Sequence, residues 1–390
     1  MQLRKTESNL LLYFVIISFL SQQTQIVPVH VQYVTFFFII TSVLFANKVF
    51  KMNHNIYVLL FVVITSLSIF VSFDKQLSLV RFVTLTAMIS FLFYVVDFER
   101  NNLEKLLKFL FFASSIYIVV SFLNMEYLKD YKGEFEGYIR NRYNISALFG
   151  VYFILGLAMV VQVKRIWLTF CFLIVSTISI YLIFISYSRV GFFYIGLYVL
   201  SLIGIYILRS SNFKRFFALV VFFTLLVVAF FELKSIGYIE YAIERGVTGR
   251  DVIADILLNH MYNNTYSLVL GFGPGSLESI APNILHRVSP RDVNNIVGVL
   301  FEYGLLGLLA FFTLFLRYFY QLYKLCRLEG VSYSYLCIPI PIIFSVSEVS
   351  WLNFNTFPTL VMFLFMSYTY YVYSLYKLDI SSRRVESKSF

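Results

Sequence analysis

A guanidinium holds phosphate without a metal, because it stays charged and presents a planar fork of donors. The polar stretch Gly246 to Gly307 carries Arg250, Arg287 and Arg291 among its acids and glycines. Val247-Thr-Gly-Arg-Asp251-Val252 reads as a helix start: Thr248 as N-cap, Asp251 at the capping-box position, Val247 and Val252 as the staple. The helix is predicted to run to about Asn259, with Val252, Ile253, Ile256 and Leu257 on one face and Asp251, Asp255 and Asn259 on the other. That pattern fits an amphipathic helix lying on a membrane surface. Arg250 then falls in the first turn, where free N–H groups and the positive end of the helix dipole make an anion site. The other reading of Arg250 is an anchor snorkelling to lipid headgroups.

Further along, Gly271-Phe-Gly273-Pro-Gly275 is a turn cluster without the Lys-Ser/Thr of a P-loop or the strand and acidic residue of a dinucleotide site. It serves either to return the chain to the membrane or to let backbone approach a phosphate or sugar. Asn294 opens the next apolar run, and Glu302 lies about two turns deeper, where an acid is expensive. Gly304 and Gly307 are spaced for close helix packing. Elsewhere, Ser186-Tyr-Ser188-Arg189-Val-Gly191 places an arginine at a membrane edge, Arg140 and Arg142 end another polar loop, and Glu348 and Trp351 close a span. His30, His54, His260 and His286 lack ligand spacing, so no metal site is expected.

These residues need elements to hold them, and the composition says which. Apolar residues are 59% of the chain and charged residues 13%, with a mean hydropathy of +0.79. A soluble domain is nearer roughly 45–50% apolar and about 25% charged. The chain is therefore expected to be an all-α polytopic membrane protein, one integral-membrane domain over 1–390. The 45 Phe and 30 Tyr suit lipid-facing and interfacial positions. Cys171, Cys326 and Cys337 form no disulfide framework. A net charge of +10 is spread over the loops, which points to topology and away from a nucleic-acid partner.

Crossing a bilayer takes roughly 20 helical residues. Candidate spans are 10–27, 31–46, 56–73, 76–96, 106–123, 143–163, 166–186, 189–208, 215–233, 294–321, 335–350 and 354–376, about 12 in all. The first follows Arg4 and Lys5 and has no small-residue cleavage site after it, so it is read as uncleaved. Alternate connections on one side carry most of the cations, among them Lys48, Lys51, Lys105, Lys108, Lys164 and Arg165. The other side's short connections hold only Lys75, Arg81 and Arg189. Both termini are accordingly predicted cytoplasmic. Two external loops follow, 124–142 and the large 234–292.

The ordered set Ser-x-Ser-Arg-x-Gly, Gly-Arg, Gly-x-Gly-Pro-Gly, Asn and Glu-x-Gly-x-x-Gly, over residues 186–307, resembles the O-antigen ligase/polymerase superfamily and within it the Wzy-type polysaccharide polymerases. The resemblance implies a GT-C-like fold in a bacterial inner membrane. The implied reaction is glycan transfer on its outer face from undecaprenyl-diphosphate-linked oligosaccharides, without metal or nucleotide sugar. It also implies a flippase and a chain-length regulator as candidate partners. By the same resemblance Arg189 and Arg250 match the arginines thought to hold the diphosphate. Arg140, Arg142, Arg245, Arg287, Arg291, Asn294 and Glu302 are further candidates for binding diphosphate or glycan. Asp251, Asp255 and Asp292 are candidates to take the acceptor proton, unranked among themselves.

One departure separates the subfamilies. Ligases typically carry His before the Asn that opens the span, whereas here Val293 precedes Asn294, which favours a polymerase. An O-antigen ligase and a flippase of lipid-linked oligosaccharide are the alternatives. The flippase is disfavoured because transporters place polar sites near the midplane on repeated, broken helices. Here the polar groups gather at one external edge.

Overall fold

The computed structural model describes residues 56–72, 74–95, 100–129, 142–163, 166–186, 188, 190–209, 250–263, 265–279, 295–326, 328, 333–344 and 357–386. Among them the chain is helical, with no strand. Apolar runs without water must satisfy their own backbone, and the helix does so within one segment. Serine and threonine hydroxyls inside these runs follow the same rule: Thr65 Oγ1 donates to Phe61 O at 2.8 Å and Ser115 Oγ to Phe111 O at 2.6 Å.

In chain order the helices are α1 (Ile56–Val71), α2 (Lys75–Ser90), α3 (Arg100–Leu123), α4 (Arg142–Val163), α5 (Ile166–Ile185), α6 (Val190–Arg209), α7 (Arg250–Tyr262), α8 (Thr265–Leu270), α9 (Ser276–Ser279), α10 (Asn295–Leu325), α11 (Tyr333–Leu336), α12 (Pro339–Ile343) and α13 (Phe357–Glu386). Asp74 starts α2 sharply, its Oδ1 accepting from Leu77 N at 3.0 Å. The same helix ends in a π-turn, Phe91–Val95, where Ser367 Oγ of α13 donates to Leu92 O at 2.8 Å.

Six described helices are long and apolar enough to cross a membrane: α2, α3, α4, α5, α6 and α10. The expectation of about 12 spans is met to that extent. The first, second and ninth candidates (10–27, 31–46, 215–233) lie outside the described residues. Two others take forms that the hydropathy did not predict. The eleventh, 335–350, begins as two short pieces, α11 and α12, because Pro339 and Pro341 cannot continue a helical ladder. The twelfth becomes α13, thirty residues long and too rich in Tyr, Ser and Thr to read as lipid-facing. It is buried without interruption from Phe357 to Ser367, so protein surrounds it on all sides there.

Long-range contacts sort the helix ends. Gln162 Nε2 of α4 donates to Ser334 Oγ at 3.1 Å, Tyr198 Oη of α6 donates to Ser334 O at 2.9 Å, and Tyr318 Oη of α10 donates to Leu336 O. The later halves of α4 and α10 therefore lie at α11. Their beginnings, with those of α2 and α6 and the ends of α1 and α5, collect at the opposite end, where Ser78 meets Pro274 and Ser146 meets Gly191. This is the alternation that the loop charges predict for these helices.

Candidate functional site

The polar features converge on a break in α10. Gly304 adopts φ 66° and ψ −169°, so the ladder fails there and the carbonyls of Phe301 and Glu302 lose their usual donors. Two amides of the glycine loop replace them: Phe272 N donates to Phe301 O at 2.8 Å and Gly273 N to Glu302 O at 2.9 Å. The fit needs glycine at both facing positions. A Cβ on Gly304 would strike Val269 O and Gly271 N, and one on Gly271, at φ 78°, would strike the Glu302 carbonyl. Among the described residues, the loop's bare backbone closely approaches α10 at Gly271 and the start of α2 and the turn before it at Gly273.

The turn between α1 and α2 closes the joint from the other side. Ser78 Oγ donates to Pro274 O at 2.7 Å, and Ser72 Oγ lies 2.5 Å from Ser78 Oγ. Arg81, nearly two turns into α2, runs its stem past Gly275, where a Cβ would come within 3.3 Å of Cγ. Glu302 is 7% exposed and Tyr303 beside it is buried, while Arg81 is half-buried. An acid inside one spanning helix and a base inside another thus flank the same glycine loop.

Amphipathic α7 covers the joint. Ile253, Leu257 and Met261 are buried against Leu277 of α9 and Val297 and Phe301 of α10. Phe272 packs tilted against Phe301, ring centroids 4.8 Å apart, and lies 5.4 Å from the ring of His260. The apolar face predicted to meet lipid is therefore divided. Ile253 and Leu257, joined by Met261 at the same four-residue spacing, dock on protein, while Val252 and Ile256 stay exposed.

A second seam lies at the same end. Ser146 Oγ donates to Ser188 O at 3.3 Å and accepts from Gly191 N at 3.0 Å. Gly150 and Gly191 face each other so closely that a Cβ on Gly150 would lie 2.9 Å from Gly191 O. The glycine of the Ser-x-Ser-Arg-x-Gly stretch is thus a packing contact between α4 and α6.

Of the predicted site residues, Glu302 is central to the joint, and Asp255 is exposed on α7, away from the buried stripe. Arg250 opens α7, as the capping pattern predicts, with Asp251 next to it. Arg142 opens α4. The side chains of these three, and all of Arg140, Arg189, Arg245, Arg287, Arg291, Asp292 and Asn294, lie outside the described residues. Gly304 departs from its predicted role: its positive φ makes it the break itself, and Gly307 faces Tyr303 of its own helix. Arg81 was legible only as a loop cation near Lys75. The signal that would have singled it out is its place inside an apolar run. No protein-family model and no curated protein matches this chain.

Proposed function

We propose that this chain polymerises lipid-diphosphate-linked oligosaccharide repeat units at the outer surface of a bacterial inner membrane. The observation that carries the reading is that two motifs far apart in sequence, Gly271-x-Gly-Pro-Gly275 and Glu302-x-Gly304, form one backbone joint beneath the helix that Arg250 opens. A glycan polymerase needs such an arrangement: a polar platform fixed to the ends of spanning helices, where a lipid-held donor presents its diphosphate.

The chemistry assigns roles by charge. The bond from the anomeric carbon to the diphosphate oxygen breaks through an oxocarbenium-like transition state, and negative charge grows on the leaving group. Arg250 and Arg189 meet that charge, aided at the start of α7 by free N–H groups. The acceptor hydroxyl forms the new glycosidic bond and gives its proton to a carboxylate, for which Asp251, Asp255 and Asp292 are the candidates. Arg140, Arg142, Arg245, Arg287, Arg291 and Asn294 line the two external loops as glycan or phosphate contacts. Glu302 holds the platform.

Deletion of the gene in its host, read on a gel of surface polysaccharide, tests this. Loss of a polymerase leaves a single repeat on its acceptor, loss of a ligase leaves long chains on the carrier lipid, and loss of a flippase leaves no exported units. A normal ladder would refute the reading. Arg250→Ala should abolish chain extension while the protein still inserts at its normal level. Arg250→Lys should retain only a minor fraction, because an ammonium cannot make the bidentate contact.

A further inference from the structure

At the end of the bundle away from the glycine joint, α10 and α13 bring three cations onto two tyrosine rings. The Arg317 guanidinium carbon lies 5.3 Å from the centroid of Tyr320 and 5.6 Å from that of Tyr373. Lys324 Nζ lies 5.6 Å from Tyr320, and Lys377 Nζ lies 5.5 Å from Tyr373. The rings meet edge to face at 6.3 Å. Spacing explains the convergence: residues 317, 320 and 324 share one face of α10, as 373 and 377 share one face of α13. Two helices far apart in sequence thus build one surface.

Ring faces attract these cations but neutralise none of them. Snorkelling alone would carry each long side chain to water by its own route. Here Arg317 shares the Tyr320 ring with Lys324 and the Tyr373 ring with Lys377. Among the described residues neither Lys324 nor Lys377 has a carboxylate partner. Both are exposed, while Arg317 is half-buried two turns nearer the middle of α10.

We propose that this surface binds the phosphate of an anionic phospholipid headgroup. Arg317 supplies the forked contact, Lys324 and Lys377 flank it as point charges, and the tyrosine rings wall it. Cations set between spanning helices near a membrane interface suit acidic headgroups of that kind. The site clips α10, the helix that carries the Gly304 break, to the innermost helix α13.

The test uses the full-length chain in nanodiscs of phosphatidylcholine alone or with phosphatidylglycerol, read by native mass spectrometry for retained lipid and by melting temperature. The wild type should retain phosphatidylglycerol and melt higher in its presence. Lys324→Gln/Lys377→Gln should lower retention roughly thirtyfold, at about 1 kcal/mol for each of the two cations, while melting normally in phosphatidylcholine. Lys324→Arg/Lys377→Arg should retain the lipid and keeps the question open to decision if the glutamine variant misfolds. Equal retention by wild type and the glutamine variant would overturn the proposal. So would inorganic phosphate raising the melting temperature in phosphatidylcholine discs as far as phosphatidylglycerol does, because the ligand would then be a free anion.

Discussion

Glu302 and Arg81 stand where an ionised side chain costs roughly 2.5 kcal/mol or more if nothing answers it. Both stand on the glycine loop, Glu302 with its backbone against Gly271 and Arg81 with its stem along Gly275; charges paired across that loop would expose one another when one is substituted. Glu302→Gln and Arg81→Gln should each lower thermal stability in detergent by about 1–3 kcal/mol. The double variant should be less destabilised than their sum, with a coupling on the order of 1 kcal/mol. Strict additivity in that cycle would show that the two charges do not act as a pair. Glu302 was legible in the sequence because an acid eight residues into an apolar run has no bland place to go. Arg81 was not, because six residues from a helix start is also where a cation can still reach an interface; only the fold, by laying Gly275 against its stem, gives it a partner element.

Helices α8 and α10 depend on the glycine joint for backbone satisfaction, and this makes the glycines unequal. Gly304→Ala meets both a positive φ and a collision with the Val269 carbonyl. It should cost more than about 1–2 kcal/mol, the bare penalty of the left-handed conformation, and should reduce folded yield in a size-exclusion assay. Gly204→Ala in α6, where a Cβ would meet nothing within 4 Å, should be neutral or stabilising by up to about 1 kcal/mol. If the two variants behaved alike, the joint would not be holding α10. The motif spacing marked Gly304 and Gly307 as small residues for helix packing. What spacing could not show is that one of them leaves the helical region altogether, since that depends on a loop some thirty residues upstream supplying two amides. The start of α7 at Arg250, by contrast, falls within two residues of the cap that the local pattern around Thr248 predicts.

Across the whole molecule the described helices alternate in the order that loop charge predicts, because the charge rule depends only on which connection a cation occupies. Single cysteines at Lys75 and Tyr262, placed in a variant lacking Cys171, Cys326 and Cys337, should react with an impermeant thiol reagent in intact spheroplasts. Single cysteines at Lys105 and Lys324 should react only after permeabilisation. Labelling of all four before permeabilisation would contradict the alternation. Hydropathy marked α13 among the spans but could not show its burial, which lets it carry hydroxyls: Ser367 donates across to the π-turn of α2, and Thr359 and Thr369 are fully enclosed. That placement has a consequence for biogenesis. The helix at the centre is translated after every other described helix, so all of those must be made before the interior can close. Until then the earlier helices hold a vacant slot lined by groups such as the Leu92 carbonyl, which lipid tails cannot satisfy. A nascent chain halted before Phe357 should therefore be a substrate for membrane quality-control proteolysis even though each of its helices has already been inserted.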